Sequence, residues 1–188
     1  MVANQTRWTI YDLDAFADAG GQNRYEIIDG ELFVTRSPHF RHQDLASEIQ
    51  FALTRWSKKS GLGKCVQTPG IIFTEVDAVI PDLIWISHDR LAYGLDEAGH
   101  LIVAPELIVE IVSPGQKNSQ RDRQLKHKLY SIHGVQEYWV ADWQLQTCEI
   151  YQRDNTQLAL ISTLYASDCL TTPLLPEFSL NLSQIFPG

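Results

Sequence analysis

The sequence predicts a mixed α/β (α+β) fold: a mixed β-sheet flanked by helices, opened by an N-terminal hairpin and followed by C-terminal antiparallel strands. Three observations predict it. Val79–Ile86 and Leu107–Val112 are apolar, β-branched runs of the kind that form central strands covered on both faces. Two stretches, His39 to Lys59 and Ser119 to His133, carry apolar residues at helical spacing. The order helix, strands, helix, strand then implies a sheet with crossover connections.

The elements follow from local signals. Thr9 to Ala19 reads as a short helix stopped by Gly20-Gly21. Tyr25–Ile28 and Glu31–Thr35 flank Asp29-Gly30, a strong hairpin-turn signal. The helix from about His39 to Lys59 has the stripe Leu45, Ala46, Ile49, Ala52, Leu53 and Trp56, and His42 falls on that stripe in the first turn. Lys64–Gln67, Gly70–Thr74 and the run holding Asp82 read as extended, and His88–His100 as a polar loop. In the second helix Leu125, Leu129 and Ile132 are expected to be buried, with Gly134 as its cap. Glu137–Ala141 is the next strand, Cys148–Arg153 and Gln157–Tyr165 pair antiparallel, and Ser183–Phe186 forms a terminal turn.

At 188 residues the chain suits one domain spanning 1–188. Its 44% hydrophobic and 20% charged residues are ordinary for a folded soluble protein. A net charge of -8 argues against whole-surface attraction to nucleic acid. Cys65, Cys148 and Cys169 lack paired spacing, so neither a disulfide framework nor a zinc knuckle is expected. The polar start and the lack of a long apolar span predict a cytoplasmic protein with no membrane partner.

Chemistry enters with two acids inside the apolar runs, Asp82 and Glu110. A carboxylate there is costly to desolvate unless a cation or hydrogen bonds compensate it. Side-chain alternation lets both point the same way from neighbouring strands, where they could hold a hard cation such as Mg²⁺. Such an ion suits phosphodiester hydrolysis. A solvated turn residue after Pro81 competes for Asp82, and a structural ion pair for Glu110.

The arrangement resembles the PD-(D/E)xK nuclease superfamily, and more closely the Uma2 family. The resemblance rests on an ordered set: Tyr25–Leu32, Ser37-Pro38, His42, Pro81-Asp82, Val109–Pro114, Asp122-Arg123 with Lys126 and Tyr130, and Gly134-Val135 with Glu137-Tyr138-Trp139. It implies a restriction-endonuclease-like core and a DNA endonuclease using Mg²⁺, with Mn²⁺ as an alternative ion. It further implies Asp82 and Glu110 as metal ligands, with Glu26 completing the metal site or orienting a ligand. One departure stands out. Val112 occupies the motif's lysine position, so the ammonium must come from the next helix. Helical geometry leaves Lys126 and Lys128 open, and the resemblance favours Lys126.

His42, on a buried stripe at a helix start, is expected as an accessory to the metal site or as a core histidine. Asp122 and Tyr130 are expected to support or pack. A basic cluster, Lys117, Arg121, Arg123, Lys126, His127 and Lys128, offers phosphate contacts on an acidic protein, and Arg36, Arg41, Arg55, Lys58, Lys59 and Lys64 extend it. An ordinary solvated helix face is the bland alternative. No pattern for base-specific readout is evident. By analogy with nucleases that cut two strands, a homodimer is expected, with the aromatics of Gly134–Trp139 serving its interface or the core. Two readings compete with the enzyme: a catalytically inactive module binding nucleic acid or protein, and a transition-metal hydrolase using His42.

Overall fold

The computed structural model describes residues 7–17, 23–112 and 121–186. Helix α1 (Ile10–Ala17) precedes a hairpin of β1 (Arg24–Ile28) and β2 (Glu31–Thr35). Asp29 and Gly30 both adopt positive φ, 52° and 75°, as a two-residue hairpin turn requires. Helix α2 (Phe40–Ser60) begins at His39, whose side chain accepts the Arg41 amide, and ends on Gly61 in the left-handed region. Then come β3 (Gly63–Gln67), β4 (Ile71–Thr74), β5 (Asp77–Val79), β6 (Leu83–Ser87), α3 (His88–Leu91) and β7 (Leu107–Ile111). A π-helical turn over Arg121–Lys126 leads into α4 (His127–Ile132). Strands β8 (Glu137–Asp142), β9 (Thr147–Asp154), β10 (Gln157–Tyr165), β11 (Cys169–Leu170) and β12 (Leu180–Asn181) complete the chain, with a short 3-10 turn at Leu182–Gln184.

Three corrections to the expected elements matter. Val79–Ile86 is not one strand: β5 belongs to a four-stranded antiparallel sheet, order β2-β1-β5-β4, and β6 to a six-stranded one, order β10-β9-β8-β7-β6-β3. Ile80-Pro81-Asp82 crosses between them, and Pro81, lacking an N–H, suits that break. The expected loop after His88 contains α3 and an antiparallel bridge between Leu95 and Leu101. The second helix buries Lys126, Leu129 and Tyr130, whereas Leu125 and Ile132 are exposed. The three buried residues share one face at ordinary helical spacing, about one residue round from the expected stripe, and that face meets the acids Glu26 and Glu110.

The large sheet is mixed, since β7 and β8 run parallel while its other pairs are antiparallel. Its two faces carry separate cores. Leu83, Trp85, Leu107, Val109, Ile111 and Trp139 pack under α2 and the C-terminal residues Leu175, Phe178, Leu182 and Phe186. Ile84, Ile86, Ile108, Val112, Tyr138 and Val140 pack on the other face beneath Leu129, Tyr130, Ile28 and Val79. Tyr138 and Trp139 are fully buried, so the aromatics considered for a dimer interface belong to the core. The indole N–H of Trp139 donates to Glu137, which also accepts from Thr172 and so ties the C-terminal segment to the sheet.

Gly63 illustrates how tightly β3 meets β6. A Cβ there would run into the Ile86 carbonyl oxygen and the Trp85 ring. Gly63→Ala is therefore expected to cost about 1–3 kcal/mol through overpacking. A urea denaturation midpoint identical to that of the unmodified chain would show instead that β3 shifts freely.

Candidate active site

The β6–β7 register sets the centre of the site. Leu83 pairs with Val109 and Ile84 with Ile108, so one residue further out Asp82 falls opposite Glu110. Cross-strand neighbours share a face, here the one lined by Ile84, Ile108 and Val112. The Ile111 amide donates to Asp82 Oδ2 at 2.9 Å and locks the carboxylate across the strand pair. Because β7 and β8 are parallel and β6 is antiparallel to β7, this end is the carboxyl end of both parallel strands. Open α/β sheets place their ligands at such ends.

Other elements deliver the remaining groups. Alternation along β1 puts Arg24 and Glu26 on one face. Glu26 Oε1 accepts the Ile80 amide at 2.9 Å, and Arg24 Nη1 lies 3.6 Å from Asp82 Oδ1. The first turn of α2 brings His42 Nε2 to 3.1 Å from Asp82 Oδ2. Lys126, at the end of the π turn, places Nζ 2.8 Å from Glu110 Oε1 and 2.9 Å from Glu26 Oε1. One turn later Tyr130 donates its hydroxyl to the same Glu110 oxygen at 2.7 Å. Glu26, His42, Asp82, Glu110 and Lys126 are all buried, Lys126 to 1% exposure. They line a cavity of about 40 Å³ with Arg24, Arg36 and Pro38 among its other walls.

Electrostatics follow from this packing. Burial pushes the Asp82 carboxyl up, but the His42 hydrogen bond and charge, the Ile111 amide and the Lys126 charge outweigh it and hold the group below its ordinary value. Burial and then the Glu110 charge push Tyr130 well above the usual phenol value, so its hydroxyl keeps its proton and donates. His42 Nδ1 is buried and has no hydrogen-bond partner among the described residues.

The structure thus gathers all five residues expected at the centre, from five separate segments. Lys126 reaches the carboxylates, whereas Lys128 is exposed and lines a separate groove of about 890 Å³ beside Asp29 and His133. Arg123 does not line the carboxylate cavity; it pairs with Glu149 at 3.2 Å and Asp142 at 3.3 Å. Lys117 lies outside the described residues, as do the side chains of Arg121 and Asp122. Sequence reasoning missed Arg24 beside Asp82, although its spacing two before Glu26 on one strand was the available signal.

The donor set suits a hard divalent cation: Asp82 and Glu110 supply neighbouring oxygens, with Glu26 close by. Among the described residues no three acidic, histidine or cysteine side chains are already drawn together as ligands. Lys126 stands between Glu26 and Glu110, and Asp82 lies opposite Glu110 across β6 and β7.

The architecture is that of a nuclease fold. It is similar to the crystal structure of a putative nuclease belonging to DUF820 from Anabaena variabilis ATCC 29413, at 19% identity and TM-score 0.71, over 93% of this chain and 96% of that one. The Uma2 family model, described as "Putative restriction endonuclease", matches residues 10–183, and the chain belongs to that family. The type IIG restriction endonuclease BpuSI aligns at 12% identity and TM-score 0.43, over 77% of this chain and 15% of that one. No curated protein sequence matches. No helix among the described residues is long and apolar enough to cross a membrane.

Proposed function

We propose that this chain is a single-domain, Mg²⁺-dependent endonuclease that hydrolyses DNA phosphodiester bonds, with Mn²⁺ able to replace Mg²⁺. The observation that carries this reading is the convergence of Asp82, Glu110 and Lys126 in one cavity at the sheet's end. Asp82 and Glu110 hold the cation, and Glu26 supports it. When bound, the ion supplies polarisation of a phosphoryl oxygen and acidification of a water. Lys126 Nζ donates a hydrogen bond that positions the attacking water and balances charge growing on it. His42 Nε2 fixes the orientation of Asp82, and the Tyr130 hydroxyl does the same for Glu110. Arg24 and Arg36, in the cavity wall, offer contacts to the flanking phosphate oxygens. Lys117, Arg121 and Lys128 are the further residues assigned to substrate backbone contacts, while Arg123 serves the fold through its two acids. A homodimer would present two such sites to the two strands of a duplex.

Thermal denaturation with increasing Mg²⁺ or Mn²⁺, alongside cleavage of duplex and single-stranded DNA, tests the proposal. A hundredfold excess over Kd is expected to stabilise the protein by about 2.7 kcal/mol. Asp82→Ala should abolish both that gain and cleavage. One observation favours a second reading, a non-catalytic module binding nucleic acid or protein: Lys126 already bridges Glu26 and Glu110. That reading predicts no metal-dependent stabilisation, and such a result would remove the proposed enzyme.

A further inference from the structure

Next to the carboxylate cavity lies a second one of about 190 Å³. The segment from Arg36 to Asp44 serves both: Arg36, Pro38 and His42 face the carboxylates, while Phe40, Arg41 and Asp44 face the neighbour. Trp143, immediately after β8, forms its opposite wall. The turn carrying Trp143 is fixed. Asp142 Oδ1 accepts the amides of Gln144 and Leu145 at 3.0 Å each, and Asp142 Oδ2 takes Arg123. Trp143 stacks in parallel on His39, with ring centroids 5.2 Å apart, and the Arg41 guanidinium sits 6.0 Å from its centroid. The indole N–H of Trp143 has no hydrogen-bond partner among the described residues. Phe40 is 78% exposed, an unusual setting for a phenyl ring on the first turn of a long helix.

We propose that this cavity takes one unpaired nucleobase, stacked against Phe40 and Trp143, from the strand whose phosphate lies at the carboxylates. Drug-sized ligands need cavities of about 300 Å³ or more, so this smaller space suits a single planar ring system. Aromatic faces stack any base, and an adjacent arginine adds cation–π and phosphate contacts. An acidic protein of net charge -8 gains little from general attraction to a polyanion, so local stacking has to supply affinity. The Asp44 carboxylate in the cavity wall offers an acceptor to base edges. The assignment rests on the nuclease reading and specifies its substrate: a strand with an unstacked base beside the cleaved bond.

The test is fluorescence anisotropy of a short labelled oligodeoxyadenylate and of the same strand carrying abasic residues. Both are measured in Ca²⁺, which takes oxygen ligands as Mg²⁺ does. The base-bearing strand should bind roughly tenfold tighter than the abasic one. Phe40→Ala, at an exposed position that leaves folding intact, should erase that margin without changing abasic affinity, and Phe40→Tyr should keep it. Equal binding of both strands, binding of neither, or no effect of Phe40→Ala would overturn the assignment. So would conversion of a dimer to a monomer by Phe40→Ala in sedimentation, which would make Phe40 part of a self-association surface. Mg²⁺ stabilisation and cleavage without a base-dependent margin would remove only this pocket. A margin without metal uptake would remove the nuclease reading and leave the pocket standing.

Discussion

Replacing Lys126 with methionine is expected to destabilise the protein by about 3–5 kcal/mol and to abolish cleavage. The ammonium is almost wholly buried and lies within 3 Å of Glu26 and Glu110. Removing one partner of a buried ionic group leaves uncompensated charge, which is far more costly than losing a surface ion pair. Here two carboxylates are stranded together, with Asp82 across the strand from one of them. Methionine keeps the aliphatic packing, so the loss reports charge and hydrogen bonding rather than a cavity. Adding Glu110→Gln to Lys126→Met should recover part of the loss, because the two effects are coupled. Chemical denaturation of the four members of the cycle measures this. A single-variant loss below about 1 kcal/mol, or strict additivity, would mean that water compensates the glutamates.

The sequence showed the carboxylates and not the way they are brought together. Asp82 and Glu110 stood out because charge inside an apolar, β-branched run demands compensation, and that logic depends on no tertiary knowledge. Their meeting requires the β6–β7 register, which hydrophobic alternation restricts to one face but does not fix along the strand. Lys126 could not be separated from Lys128 by uniform helical spacing. In the structure the face holding Lys126, Leu129 and Tyr130 turns inward, while Leu125, Lys128 and Ile132 face outward. Which of the two faces is buried depends on the carboxylates opposite it, Glu26 and Glu110, and the helix's own sequence does not show them. Pro81 likewise carried a signal, but a break between two sheets reads the same in sequence as an edge in one. Arg123 looked like every other member of its basic cluster until Asp142 and Glu149, from distant strands, were placed beside it.

Asp82→Asn should cost about 2 kcal/mol near neutral pH, a cost that disappears in acid. Asparagine can still accept the Ile111 amide but loses the charged partnership with His42 and the field of Lys126. The folded protein holds the Asp82 carboxyl below its ordinary value of about 3.9, so the unfolded chain binds the proton more readily. The stability this provides is therefore complete above about pH 4 and declines as pH falls through the folded-state value. Asparagine has no proton to gain, so the stabilities of the two proteins should converge as the medium becomes more acidic than about pH 4. Urea denaturation across pH reads the convergence directly, and a gap that widens in acid would mean that the anion is strained rather than stabilised. Cleavage in Mg²⁺ should fall by more than roughly 100-fold in the same variant, because losing a ligand exceeds the effect of losing a group that orients one. His42→Ala then separates the two roles of the aspartate. It removes the hydrogen bond that steadies Asp82 but leaves the oxygens proposed as metal ligands, so under that proposal it should weaken metal binding roughly 10- to 100-fold without abolishing it.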